Sequence, residues 1–140
     1  MSTPWHYWPM TIFALGWGAG TAADYMMTQF AYPPYIALFS EPQVAYFTTL
    51  PAAFDGPWAL GAVAAILGAL MMAARASLAA AVLAVAAAAM VYSAVWLMFV
   101  SDPPMRDLTG VIGYVIVGAG AAVSVLIWLY ARAQHARGVL

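Results

Sequence analysis

The sequence predicts an all-α membrane protein: four transmembrane helices, with a short amphipathic helix in the outer loop between the first and second spans. Three observations carry this reading. Of 140 residues, 66% are hydrophobic and only 6% are charged, a balance that a water-facing surface does not show. Uncharged apolar runs of about 20 residues, enough to cross roughly 30 Å of hydrocarbon as helices, occur three times, and a fourth run holds a single carboxylate. None of them alternates apolar with polar residues, which excludes the strands of a membrane barrel and leaves helices as the way to satisfy every backbone N–H and C=O in lipid. The chain reads as a single domain over residues 1–140.

The first span is expected from Met10 to Gln29, with Asp24 near its end. A cleaved secretory signal would need a basic leader and a shorter apolar core, and Met1 to Met10 holds no Lys or Arg, so this run is read as a retained span. Gly16 and Gly20 form a GxxxG pair, which favours close approach of another helix. Residues 30–56 follow as the outer loop, rich in Tyr, Phe and Leu and therefore expected to lie on the membrane. Within it, Ser40 as N-cap, Pro42 in the first turn and Gln43 three residues after the cap form a capping box. That predicts a helix from about Glu41 to Leu50 with Val44, Phe47 and Leu50 on one buried face.

Pro51 and the Gly56, Pro57 pair end the loop and start the second span, Pro57 to Ala74, in which Gly61 and Gly68 lie on one side. A tight turn containing Arg75 leads to the third span, Ser77 to Val100, Ala-rich from Ala79 to Ala89. The fourth runs from Gly110 to Ala131, with Gly118 and Ala122 repeating the small-residue spacing. Ser93 and Ser124 lie within spans without a His nearby and are read as hydroxyls bonded to the preceding turn or to a neighbouring helix.

Arginine placement sets the orientation, because Lys and Arg accumulate in short cytoplasmic loops. With four spans both termini share a side, and Arg75, Arg132 and Arg137 then lie together at +3, facing Glu41, Asp55, Asp102, Asp107 and Arg106 at -3; Asp24 completes the total of -1. Both termini are expected in the cytoplasm. Trp5, Tyr7, Trp8, Trp128 and Tyr130 would mark the inner interface, with Tyr25, Tyr32, Tyr35 and Trp58 near the outer one.

Trp17, the run Asp24, Tyr25, Met26, Met27, Thr28, Gln29, the segment Tyr35 to Tyr46 with its Phe, Ser, Glu, Pro, Gln core, then Pro51, Leu60 and Leu67 to Leu70 before an Arg turn make up a recognisable pattern. Over roughly Trp17 to Ala81 the chain resembles a family of small, uncharacterised bacterial four-span membrane proteins, some of whose members are labelled sugar transporters. It departs from that family at Ala52 or Ala53, one of which is usually a Trp, and around Arg75, where several basic residues are usual. The resemblance implies the four-span topology and leaves the activity open.

Function classes are narrowed chiefly by what the residues lack. The charge of -1 offers nucleic acid no basic surface, and the absence of Cys removes thiolate metal sites and cysteine nucleophiles. No HExxH, phosphate-binding Gly loop or paired acidic motif occurs. His6 and His135 lie at the expected cytoplasmic edge without ligand-forming neighbours, so no cofactor and no metal is expected, and Met26, Met27, Met71 and Met72 are read as adaptable packing. Asp24 is the candidate intramembrane carboxylate, since an ionisable group in a span is costly unless paired or hydrated. Gly16, Gly20, Gly61, Gly68, Gly118 and Ala122 are the candidate helix-packing or partner surface. The expected function is a non-catalytic accessory or structural subunit of a larger bacterial membrane complex, respiratory or photosynthetic, whose partners are other integral membrane subunits and lipid. The alternative is a small proton-coupled solute transporter, possible as a dimer, resembling the small multidrug-resistance proteins in having four spans and a carboxylate in the first.

Overall fold

In a computed structural model, which describes residues 3–140, the described residues are mostly helical. In order, the helices are α1 (Tyr7–Gln29), α2 (Pro33–Ile36), α3 (Glu41–Thr48), α4 (Ala52–Ala73), α5 (Ala79–Phe99) and α6 (Met105–Ala136). The four long ones form an up-and-down bundle in which α1 packs on α4, α4 on α5 and α5 on α6. Large side chains close α6 back onto α1: the Trp17 indole N–H donates to Ser124 Oγ at 3.1 Å, and His6 Nδ1 is hydrogen-bonded to the Tyr130 hydroxyl at 2.7 Å. The start of α1 and the end of α6 therefore share one end of the bundle, and α2 and α3 lie at the other.

Three of these helices, α4, α5 and α6, are long and apolar enough to cross a membrane. The 22 residues of α4 reach about 33 Å at 1.5 Å per residue. Only 39%, 39% and 22% of the most apolar stretches of α4, α5 and α6 are buried. Leu60, Val63, Leu67, Leu70, Val85, Val95, Val111, Ile112, Val115, Ile116 and Leu126 all face outward. Helices apolar on every side suit hydrocarbon as solvent, and the chain is accordingly a membrane protein. At 23 residues α1 matches them in length, but Thr11, three glycines, Thr21, Asp24 and Gln29 leave it less apolar.

Inside the bundle, packing rests on small residues. Ala14, Ala69, Met72, Ala79, Leu83, Ile127 and Ala131 form one core cluster, and Ala64, Ala65 and Ala86 form a second between α4 and α5. At the loop end Tyr46, Phe54, Trp58, Leu97 and Met105 make a third, more aromatic cluster. Hydroxyls in the helices bond back one turn, as Thr11 does to Tyr7 O, Ser93 to Ala89 O and Ser124 to Gly120 O, so these three are satisfied within their own helix.

Element boundaries differ from the sequence expectation where backbone chemistry is supplied from elsewhere. Helix α4 starts at Ala52 with Pro51 as its N-cap, not at Pro57, which lies inside it. Pro57 has no N–H to give the carbonyl one turn back, that of Ala53, and the Tyr92 hydroxyl of α5 donates to this freed carbonyl at 3.0 Å. A partner on the next helix thus makes an interior proline tolerable. Helix α6 starts at Met105 and is broken at Gly110, whose φ of 67° and ψ of -167° belong to a region open essentially to glycine. The expected start of the fourth span at Gly110 is this break.

Helix α3 ends at Thr48 and not at Leu50, because Thr48 and Thr49 turn their hydroxyls back onto Val44 O and Ala45 O while the Thr49 backbone leaves the helical region. Its capping box is formed, the Ser40 N–H donating to Gln43 Oε1 at 3.0 Å. Val44, Phe47 and Leu50 are half-buried, and the residue of α3 that is fully buried is Tyr46. Two helices end in six-to-one and five-to-two hydrogen-bonded caps with a non-glycine residue at positive φ: Ala31 (47°) after α1 and Arg75 (54°) after α4.

Candidate functional site

The loop end gathers the polar groups around Asp24. This half-buried side chain accepts a hydrogen bond from the Tyr35 hydroxyl, which α2 brings back over the end of α1. Thr28, one turn on, donates to the Asp24 carbonyl at 2.8 Å. Burial and the adjacent carboxylate together hold the Tyr35 phenol well above its ordinary value, so it stays protonated and remains the donor. Next to this pair, Gln29 Nε2 donates to Asp55 Oδ1 in the first turn of α4. Asp24 thus ties the loop to α1 through Tyr35, while Arg106 is exposed on α6.

Aromatic rings floor this end. Tyr25 meets Trp58 edge to face at 5.0 Å, and Phe54 lies 5.6 Å from Trp58 and 5.1 Å from Trp96. Tyr46 projects from α3 into the same cluster, and burial pushes its phenol up. Its hydroxyl has no hydrogen-bond partner. Gln43, besides closing the cap of α3, donates through Nε2 to Leu108 O at 2.8 Å and so fastens α3 to α6. Between α2 and α3 an open apolar groove of about 540 Å³ is lined by Pro33, Ile36, Phe39 and Val44, with Glu41 at its edge.

The small residues separate into two sets. A Cβ on Gly18 would lie 2.7 Å from Ile66 Cα and 2.9 Å from Ala65 O, so α1 and α4 touch backbone to backbone there. A Cβ on Gly16 or Gly20 would meet nothing within 4 Å. The GxxxG pair thus faces outward and the glycine between its members makes the contact. Gly61 and Gly68 do pack, against Ala89 and Met90 and against Leu83. Gly118 would touch only Met98 Cε, at 3.4 Å, and Ala122 is exposed.

At the opposite end Arg75 stacks over Trp8 (5.7 Å) and Tyr7 (5.9 Å) and donates to Thr3 Oγ1. Tyr7, fully buried, donates to Met72 O at 2.6 Å. Arg132 lies over Trp128 at 5.9 Å. His6 is engaged with Tyr130, and His135 is exposed in the last turn of α6. Among the described residues, no three His, Cys, Asp or Glu side chains come together as a metal site would require.

Sequence reasoning singled out Asp24 but not Tyr35, Gly18 or Tyr46. Tyr35 stands 11 residues from Asp24, beyond the reach of any single-helix spacing. Its only local signal was Pro33 and Pro34, which start the short helix that turns the ring inward. No family model, curated protein or solved structure matches the chain.

Proposed function

We propose that this chain is a non-catalytic accessory subunit of a larger bacterial membrane complex, with α1 as a fourth span beside the three apolar ones. In this reading the topology is that of the small four-span family it resembles. Both termini lie in the cytoplasm and the membrane is the bacterial inner one. Arg75, Arg132 and Arg137 at one end and Glu41, Asp55, Asp102 and Asp107 at the other support that orientation. The α2 and α3 segment lies along the outer interface, its apolar groove turned to lipid.

The observation that carries the subunit reading is the outward face of α1. Ile12, Gly16, Ala19, Gly20 and Ala23 are exposed, and both glycines are open to close approach. A helix face this flat loses little side-chain freedom when another helix packs on it, and small faces favour association in lipid. The test is purification in a mild detergent followed by Gly16→Leu and Gly20→Leu. The wild type should elute with the same larger membrane subunits each time, and the variants should elute without them while keeping their helical spectrum. A chain that always elutes alone defeats the reading.

A second reading, a small proton-coupled carrier, rests on the Asp24 to Tyr35 hydrogen bond, which places an ionisable group and a hydroxyl at one mouth of the bundle. Reconstituted protein would then move solute down an imposed pH gradient, and Asp24→Asn would abolish the movement with folding intact. A void walled by all four long helices, between Trp17, Ala65, Leu83 and Ser124, measures about 10 Å³, too little for a solute at that level. If the subunit reading holds, Asp24→Asn should weaken assembly or thermal stability and leave the host activity nearly unchanged.

A further inference from the structure

The five carboxylate side chains, Asp24, Glu41, Asp55, Asp102 and Asp107, all belong to the loop end of the bundle. The opposite end has three exposed arginines, Arg75, Arg132 and Arg137, and no acidic side chain to neutralise them. Two of these guanidinium groups are held by aromatic faces, Arg75 over Trp8 and Tyr7, and Arg132 over Trp128. A guanidinium carries five N–H donors; one of Arg75 goes to Thr3 Oγ1, and the others can serve an oxyanion while the ring faces hold the group in place. Helices α1 and α5 also start at this end, and their N-caps, His6 and Leu78, supply no side-chain acceptor to the first-turn N–H groups. Helices α4 and α6 end here, so the four helix dipoles largely offset one another and the arginines supply the attraction for an anion.

The rings beside these arginines decide which anion fits. Trp5 is 84% and Trp8 47% exposed, and the outward residues next along α1 and α4, Ile12 and Leu70, are apolar. A free phosphate would gain nothing from them, whereas an amphiphile would cover both the cation and the apolar flank. We propose that this end binds an anionic phospholipid, its phosphate on the edge of Arg75 beside Trp8 and its acyl chain along the outer faces of α1 and α4. Arg132 beside Trp128 is the second such position, on α6.

The experiment titrates the purified, delipidated full chain in mild detergent with phosphatidylglycerol, with phosphatidylcholine and with inorganic phosphate, counting bound lipid by native mass spectrometry. Phosphatidylglycerol should bind in preference to phosphatidylcholine, and inorganic phosphate at equal concentration should not displace it. One arginine near an anionic headgroup is worth about fivefold in affinity, so Arg75→Gln should lower phosphatidylglycerol binding by roughly that factor and leave phosphatidylcholine binding alone. Arg75→Lys should keep most of the preference, and Arg106→Gln, at the carboxylate end, should keep all of it. Should Arg75→Gln lose its helical spectrum, Arg132→Gln carries the same expectation. Equal binding of the two lipids, an Arg106→Gln loss as large as that of the arginine-end variant, or full displacement by phosphate would overturn the proposal.

Discussion

Replacing Gly18 by Ala should destabilise the bundle, while the same change at Gly16 or Gly20 should stabilise it. At Gly18 the new methyl would stand 2.7 Å from Ile66 Cα and 2.9 Å from Ile66 N and Ala65 O. Carbon atoms rest at roughly 3.5–4.0 Å, so α1 and α4 must part by about 1 Å, because the obstructing atoms are backbone and no rotamer change moves them. Overpacking of this kind costs about 1–3 kcal/mol. Alanine recovers about 1 kcal/mol of helix propensity over glycine, which leaves a net loss of up to about 2 kcal/mol. At Gly16 and Gly20 the methyl meets nothing within 4 Å, so only the propensity gain of up to about 1 kcal/mol acts. Two substitutions two residues apart should therefore differ by the overpacking cost itself, about 1–3 kcal/mol. Reversible unfolding of the purified protein in mixed micelles, followed by tryptophan fluorescence, measures this directly. If Gly18→Ala proves as stable as Gly16→Ala and Gly20→Ala, the backbone contact between α1 and α4 is not where the structure puts it.

Three further predictions concern the backbone. Tyr92→Phe removes the donor to Ala53 O and should cost about 1 kcal/mol. In a Pro57→Ala background, where residue 57 regains its own N–H for that carbonyl, the cost should shrink toward zero, and a double-mutant cycle with equal losses in both backgrounds would refute the pairing. Gly110→Ala meets open space but must hold φ of 67° and ψ of -167°, so it should lose about 1–3 kcal/mol of stability to backbone strain alone; a neutral result in the same unfolding assay would speak against the break in α6. Ala31→Gly, at the cap of α1 where φ is 47°, should gain up to about 1 kcal/mol, since left-handed backbone strains alanine by about 1–2 kcal/mol and glycine's extra unfolded-state freedom returns part of it.

Fold class was legible in the residues because hydrocarbon imposes a severe rule: long apolar runs must be helices, and residue counts suffice to find them. The capping box of Ser40 and Gln43 and the start of α3 at Glu41 were legible for a similar reason, as every atom involved lies within one helical turn. Tertiary structure alone decided which way each helix faces. In a soluble bundle the polar side of a helix announces its outer face, but α4, α5 and α6 are apolar all round, and rotation about their axes leaves hydropathy unchanged. On α1 the three glycines Gly16, Gly18 and Gly20 are alike in residue type, and only the packed bundle shows that Gly18 lies against Ile66. The same holds for contacts that join distant parts of the chain. The Tyr92 hydroxyl on Ala53 O shifts the start of α4 by five residues from Pro57, and Tyr35 reaches Asp24 through a turn the spacing does not encode. A hydrogen bond within one turn is set by local spacing, whereas a bond between helices exists only once their rotation and depth are set, and packing of small residues across the bundle sets both.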